Sequence, residues 1–134
     1  MEAANPDTLK KYRACLIKCW NYSRETAYPT THTLSDEELS TLTPEEIYAF
    51  MAQKVFGMPN PVSGQDLPTV GRSSSIEFDK KAISYFMPNK WPWDEQEKKG
   101  NPTRSAKVNK LIANVKKAEV SKQGKNQTLF VSLK

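Results

Sequence analysis

The sequence predicts an all-α fold, an orthogonal bundle of four main helices joined by long irregular loops. Four segments carry apolar residues at steps of three and four, the spacing of an amphipathic helix. The segments begin near capping residues and are followed by proline or glycine. With 134 residues, of which 37% are hydrophobic, the chain has the size of one domain with one core. We expect a helical domain at residues 1–125 and a C-terminal tail at 126–134.

The first helix is predicted to follow Pro6, with Asp7 or Thr8 as its cap, and to run for about 17 residues. Its apolar stripe consists of Leu9, Tyr12, Leu16, Cys19 and Trp20. Cys15 and Cys19 share one face of this helix. We interpret them as reduced packing thiols, since a metal pair would need further ligands and His32 is the only histidine.

The second helix is predicted at Pro44 to Phe56. Thr43 and Glu46 form a capping box, Pro44 fits the first helical position, and Gly57 is a typical stop. The polar segment before it, from Thr26 to Thr41, is predicted to be a loop with room for one short helical turn. Residues 58–72 hold several prolines and glycines and indicate a long irregular connection.

The third helix is predicted to begin at a second capping box, Ser74 with Glu77, and to end at Pro88. Its predicted buried face consists of Phe78, Ala82, Tyr85 and Phe86, with Ile76 and Ile83 beside it. The following loop, Asn89 to Pro102, contains Trp91 and Trp93, which either close over the core or stay exposed as a contact.

The fourth helix is predicted to begin at Thr103 or Ser105 and to be broken by Gly124. Its inward residues are expected to be Val108, Leu111, Ile112, Val115 and Ala118. Residues 104–134 contain eight basic side chains against Glu119 alone, whereas the whole chain has a net charge of +5. A phosphate polymer is the partner that such a segment attracts most readily, although a merely solvated basic face remains the alternative.

Arg72 and the three serines after it precede the third helix, where free backbone N–H groups can bind a phosphate. The serines are equally suited to capping the helix. No catalytic set, cofactor motif or metal-ligand spacing is found, so we expect no enzymatic activity. The sequence contains no signal-like or membrane-spanning apolar run, which favours an intracellular protein, nuclear if eukaryotic. We expect it to bind neither a membrane nor a small-molecule substrate.

Four motifs, taken in order, resemble the N-terminal core-binding (SAM-like) domain of the tyrosine recombinases, the phage-integrase class. They are Thr8-Tyr12-Leu16-Trp20 at steps of four, Pro44-Glu45-Glu46-Ile47, Ser73-Ser74-Ser75 followed by Lys80-Lys81-Ala82-Ile83-Ser84-Tyr85-Phe86, and Val108-x-x-Leu111-Ile112-x-x-Val115-Lys116-Lys117. The resemblance covers residues 8–125. The resemblance does not extend to the family's catalytic domain, so it does not imply strand cleavage.

In that family the domain is half of a clamp around double-stranded DNA, and the resemblance implies such binding in recombination of mobile elements. Together with the charge pattern, it gives a DNA-binding set of Thr8, Lys10, Lys11, Arg72, Ser74, Lys80, Lys81, Arg104, Lys107, Lys110, Lys116 and Lys117. Self-association on DNA is a further expectation. The alternatives are a protein-interaction module that uses Trp91, Trp93 and the tail, and a structural subunit of a larger assembly.

Overall fold

A computed structural model describes residues 5–58 and 72–132, with side chains given as far as residue 120. These residues form five α-helices and a short 3-10 helix, without a β-strand, which confirms the all-α class. The predicted helices one to four correspond to α1 (Pro6–Arg24), α3 (Pro44–Phe56), α4 (Ser73–Phe86) and α5 (Ala106–Ser132). The irregular connection predicted at 58–72 lies outside the described residues except at its two ends.

Helix α1 (Pro6–Arg24) begins at Pro6, before either of the predicted capping residues. Asn5 caps it, because its side-chain oxygen accepts a hydrogen bond of 2.8 Å from the backbone N–H of Thr8. The assignment of the cap to Asp7 or Thr8 is therefore wrong. Proline fits the first position, since the N–H that it lacks would have no partner inside the helix. Glu25, at φ 54°, ends α1 in the left-handed conformation.

The short turn expected before the second predicted helix is α2 (Asp36–Leu39). Helix α3 (Pro44–Phe56) begins and ends at the predicted residues. The Thr43 hydroxyl accepts from the backbone N–H of Glu46, whose carboxylate accepts from the backbone N–H of Thr43. Gly57 follows at φ 77°, a conformation that favours glycine. Local capping rules are sufficient to place α3.

Helix α4 (Ser73–Phe86) does not begin with the predicted Ser74–Glu77 box. The helix starts at Ser73, one residue before the predicted cap, so Ser74 already lies inside the helix and cannot act as its cap. The capping group comes instead from α5: the Glu119 carboxylate accepts hydrogen bonds from the backbone N–H and the hydroxyl of Ser73. A cap supplied by another helix cannot be recognised from the local sequence.

A 3-10 helix (Pro102–Arg104) leads into α5 (Ala106–Ser132). Ser105 stands at the start of α5, where its hydroxyl accepts from the backbone N–H of Val108 at 3.3 Å. The predicted end at Gly124 is wrong, because α5 continues through residues 126–132 of the predicted tail. A glycine inside a helix costs about 1 kcal/mol relative to alanine, which good helix formers around it can offset.

One hydrophobic core lies where α1 and α5 both pack against α3 and α4. Ile47, Ile83 and Val108 are completely buried in it, and burial stabilises each such side chain by about 1.5–3 kcal/mol. Cys15 and Cys19 are buried free thiols of this core, as predicted. The orthogonal arrangement of the helices stays a prediction. Among the described helices, none combines the length and apolarity needed to cross a membrane.

The buried faces of α4 and α5 differ from the predicted ones at three positions. Phe78 is 40% exposed, and Ala118 is also exposed, although both were expected to face inward. Asp79 is instead buried, with 1% of its surface exposed. Its Oδ1 accepts a hydrogen bond of 2.8 Å from Lys54 Nζ and one of 3.2 Å from the Cys15 thiol. Asp79 is therefore buried in α4 where Phe78 was expected, and Lys54 of α3 compensates the charge of its carboxylate.

Candidate functional site

A cleft of about 890 Å³ opens between the first half of α1, the middle of α4 and the first half of α5. Its lining residues are Asn5, Thr8, Tyr12, Glu77, Lys80, Lys81, Ser84, Tyr85, Lys90, Asn109, Ile112, Ala113 and Lys116. On each helix these residues recur at steps of three and four, so each helix contributes one stripe. The cleft is therefore built from side chains that the helical period places together.

Four of the residues expected to face DNA meet in this cleft: Thr8 from α1, Lys80 and Lys81 from α4, and Lys116 from α5. A fifth residue, Lys90, was missed by the sequence reasoning. Its position just beyond the end of α4 was the available signal, because basic side chains often bond the last carbonyls of a helix.

Two of the cleft lysines are held in place by hydrogen bonds. Lys90 Nζ donates to the carbonyl oxygens of Ser84 and Tyr85 at 2.6 and 3.0 Å. Lys80 Nζ donates to the side-chain oxygen of Asn109 and so joins α4 to α5. Partial burial lowers the pKa of Lys90 below its ordinary value. The pKa of Lys80 is also lowered, first by burial and then by the nearby Arg104 guanidinium.

One cleft lysine is paired with an acid. Lys116 Nζ lies 3.0 Å from a carboxylate oxygen of Glu77, and both side chains are about half exposed. Exposed ion pairs of this kind stabilise a fold by about 0–1 kcal/mol. A phosphate can therefore displace the Glu77 carboxylate from Lys116 at little cost in stability. Glu77 is the only acidic side chain among the described residues that line the cleft, against four lysines. The cleft therefore carries a net positive charge.

The expected phosphate clamp at the start of α4 already holds an anion. The Glu119 carboxylate accepts from Ser73, and these hydrogen bonds lower the pKa of Glu119, with Arg72 adding a smaller effect. Ser74 is exposed and makes no cap. A phosphate at this position would have to displace the carboxylate. Neither serine interpretation describes what is observed: no serine side chain caps α4, and Ser73 donates to the Glu119 carboxylate, which takes the place of a cap.

Several other residues of the expected DNA-binding set do not line the cleft. Lys107 Nζ lies 4.7 Å from the centre of the Tyr48 ring and so faces α3. Arg104 donates to the Lys90 carbonyl oxygen at 2.5 Å, which places it beside the cleft without lining it. The exposed residues that lie elsewhere on the surface are Lys10, Lys11, Arg72, Ser74, Lys110 and Lys117.

The tryptophan loop at residues 89–102 bears out the exposed alternative for Trp91, while Trp93 is not among the side chains that pack against the core. Trp91 is 75% exposed, while Trp93 is half-buried. The backbone of Trp91 is fixed, since its carbonyl accepts from the backbone N–H of Asn101 at 2.9 Å and its own N–H donates to Asn89 at 2.8 Å. Trp91 is thus an exposed aromatic side chain on an ordered loop, next to Lys90 of the cleft.

Comparison of the chain with protein-family models, with curated proteins and with solved structures gives no match in any of the three. The likeness to the recombinase core-binding domain therefore rests on the motifs and their order alone.

Proposed function

We propose that this chain is a non-catalytic helical domain that binds duplex DNA mainly through phosphates, in the manner of the core-binding half of a tyrosine recombinase clamp. The observation that carries the proposal is the meeting of Lys80, Lys81, Lys90 and Lys116, from two helices and a loop, on one cleft. Four cations within one concavity raise the local concentration of a polyanion.

The placement of these lysines supports phosphate binding better than it supports a merely solvated surface. A solvated face can spread its charges, because like charges close together on a helix repel by a few tenths of a kcal/mol. Here four lysines line one concavity with Glu77 as the single described carboxylate, and both burial and the nearby Arg104 guanidinium disfavour the charged form of Lys80. Such an arrangement is unfavourable alone and becomes favourable when phosphates lie between the lysines.

A titration of labelled duplex DNA at several salt concentrations tests the proposal by fluorescence anisotropy. With three to four phosphates bound by the cleft, the slope of log affinity against log salt is expected near −3 to −4, from roughly 0.9 per phosphate. Contacts from further lysines would make it steeper. A flat response, or no binding at low salt, would remove the proposal.

Lys81 is the best residue to change, because it lines the cleft and is exposed. Lys81→Gln is expected to weaken binding to all duplex sequences alike and to reduce the salt slope by about 1. Lys18→Gln is the matched control, since Lys18 is an exposed lysine of α1 outside the cleft. Equal losses in both variants would mean that net charge, and not the cleft, governs binding.

Trp91 supports a second candidate function, a protein interface formed with another copy of this chain. A tryptophan that is 75% exposed on an ordered loop is a typical anchor of an interface. Sedimentation velocity with and without duplex DNA tests this function: Trp91→Ala should abolish a dimer that the unaltered protein forms. A monomer under both conditions would eliminate it.

A further inference from the structure

The cleft is larger than the binding of a phosphate group requires. Its volume of about 890 Å³ falls within the roughly 300–1,000 Å³ of pockets that enclose small organic ligands. The stacked base pairs of a duplex cannot enter a space of this size, so an intact duplex contacts only its rim. The interior has room for an occupant with the dimensions of a single nucleotide.

The floor of the cleft suits a planar ring. The ring of the half-buried Tyr85 lies 5.6 Å between centroids from that of the buried Tyr12, with their planes tilted by 59°. Ile112 and Ala113 of α5 complete an apolar surface on which Tyr85 and Ala113 are the more exposed side chains. Tyr12 also packs edge-on against the Phe78 ring, at 5.7 Å between centroids. A phosphate gains little from such a surface, because it needs hydrogen-bond donors. An unpaired base gains both stacking and burial there.

The rim of the cleft suits the phosphate attached to such a base. The helical cations that line it are Lys80 and Lys81 of α4 and Lys116 of α5. Lys80 is already fixed by Asn109, so little side-chain entropy remains to be lost on binding. Contacts between an ammonium group and a phosphate strengthen where water is partly excluded.

We propose that the cleft binds one unpaired nucleotide of a nucleic-acid strand, with its base on the tyrosine floor and its phosphate on the lysine rim. This inference rests on the proposed function, because the same lysines serve both. It adds a preference: DNA with a single-stranded end or an unpaired base binds more tightly than a continuous duplex.

The test compares a blunt duplex with the same duplex carrying a short single-stranded extension, by anisotropy on the full chain. The extension is expected to bind about tenfold more tightly, the effect of stacking one base. Ala113→Trp fills the cleft without removing a lysine and should abolish this preference while blunt-duplex binding persists. Ala118→Trp is the control, an equal change at an exposed alanine of α5 outside the cleft.

Equal affinity for the two DNA molecules would overturn the inference and leave the proposed function standing. Absence of binding to both would overturn the proposed function first. A preference that survives Ala113→Trp, or that Ala118→Trp removes equally, would place the unpaired nucleotide outside the cleft. Competition gives a second measurement: adenosine monophosphate should displace the extended DNA at concentrations where inorganic phosphate of equal ionic strength does not.

Discussion

Replacement of Lys54 by methionine probes the buried carboxylate of Asp79. The change keeps the apolar stem of the lysine and removes the charge that lies 2.8 Å from Asp79 Oδ1. Asp79 would then be left with the Cys15 thiol, at 3.2 Å, as its remaining donor. Among the described residues the other carboxylate oxygen, Oδ2, is buried without a hydrogen-bond partner. A buried charge without compensation is strongly destabilising.

Breaking a buried ion pair costs about 3–5 kcal/mol. Lys54 is 36% exposed, so water already screens the pair in part, and we expect the lower end, about 3 kcal/mol. The free energy of unfolding of a domain is only about 5–15 kcal/mol, so this loss is large. Urea denaturation at neutral pH, followed by circular dichroism, measures it.

The double variant Lys54→Met with Asp79→Leu gives the decisive comparison. It replaces the pair by two apolar side chains, and such replacements are often neutral or stabilising. We therefore expect the double variant to be more stable than Lys54→Met alone by about 2 kcal/mol or more. If the double variant is the less stable of the two, the carboxylate was not an uncompensated buried charge in Lys54→Met, and the reasoning is refuted.

Three further predictions concern other parts of the fold. Glu119→Ala should lower the free energy of unfolding by about 1 kcal/mol at neutral pH, the effect of a lost helix cap. The fold lowers the pKa of Glu119, so its stabilising effect is present above the ordinary pKa of a glutamate and disappears as the pH falls through the lowered value. The free energies of unfolding of the unaltered protein and of Glu119→Ala, measured with urea, should therefore converge in acid. A constant difference between them at all pH values would contradict this prediction. Gly100→Ala should destabilise the tryptophan loop by about 1–3 kcal/mol in thermal melts, because φ is 115° and an added Cβ would collide with the Pro92 carbonyl; an unchanged melt would contradict this. Burial raises the pKa of the Cys19 thiol to about 12 and that of Cys15 further, so neither should react with a thiol reagent at neutral pH until denaturant is added; fast reaction in the native protein would show exposed thiols.

The elements with local signals were predictable from the sequence. Helix α3 follows from residues within four positions of its ends, Thr43 with Glu46 at one end and Gly57 at the other. The predicted start of α4 failed because its cap, Glu119, is distant in the sequence. The predicted end of α5 failed because a single glycine, costing only about 1 kcal/mol, is a weak stop signal when good helix formers such as Lys122, Gln123 and Lys125 flank it.

The candidate site was predictable to the extent that it depends on helical period. Lys80 and Lys81 were assigned from the family resemblance, by their position on the third predicted helix, and the structure puts both on the cleft. Lys107 was assigned by charge alone, and it faces Tyr48 of α3. The tyrosine floor could not be foreseen, because it depends on how α1, α4 and α5 pack together. Charge indicates the class of partner, whereas packing decides which charges meet.

The most direct test of the proposed interface is the change in backbone amide chemical shifts of the labelled protein on titration with duplex DNA at low salt. We expect the largest changes at the cleft stripes of α4 and α5, residues 77–85 and 109–116, and at Lys90, with little change in α2 and the start of α3. Changes concentrated on α2 and α3, or spread evenly over every exposed lysine, would contradict the assignment of DNA binding to the cleft.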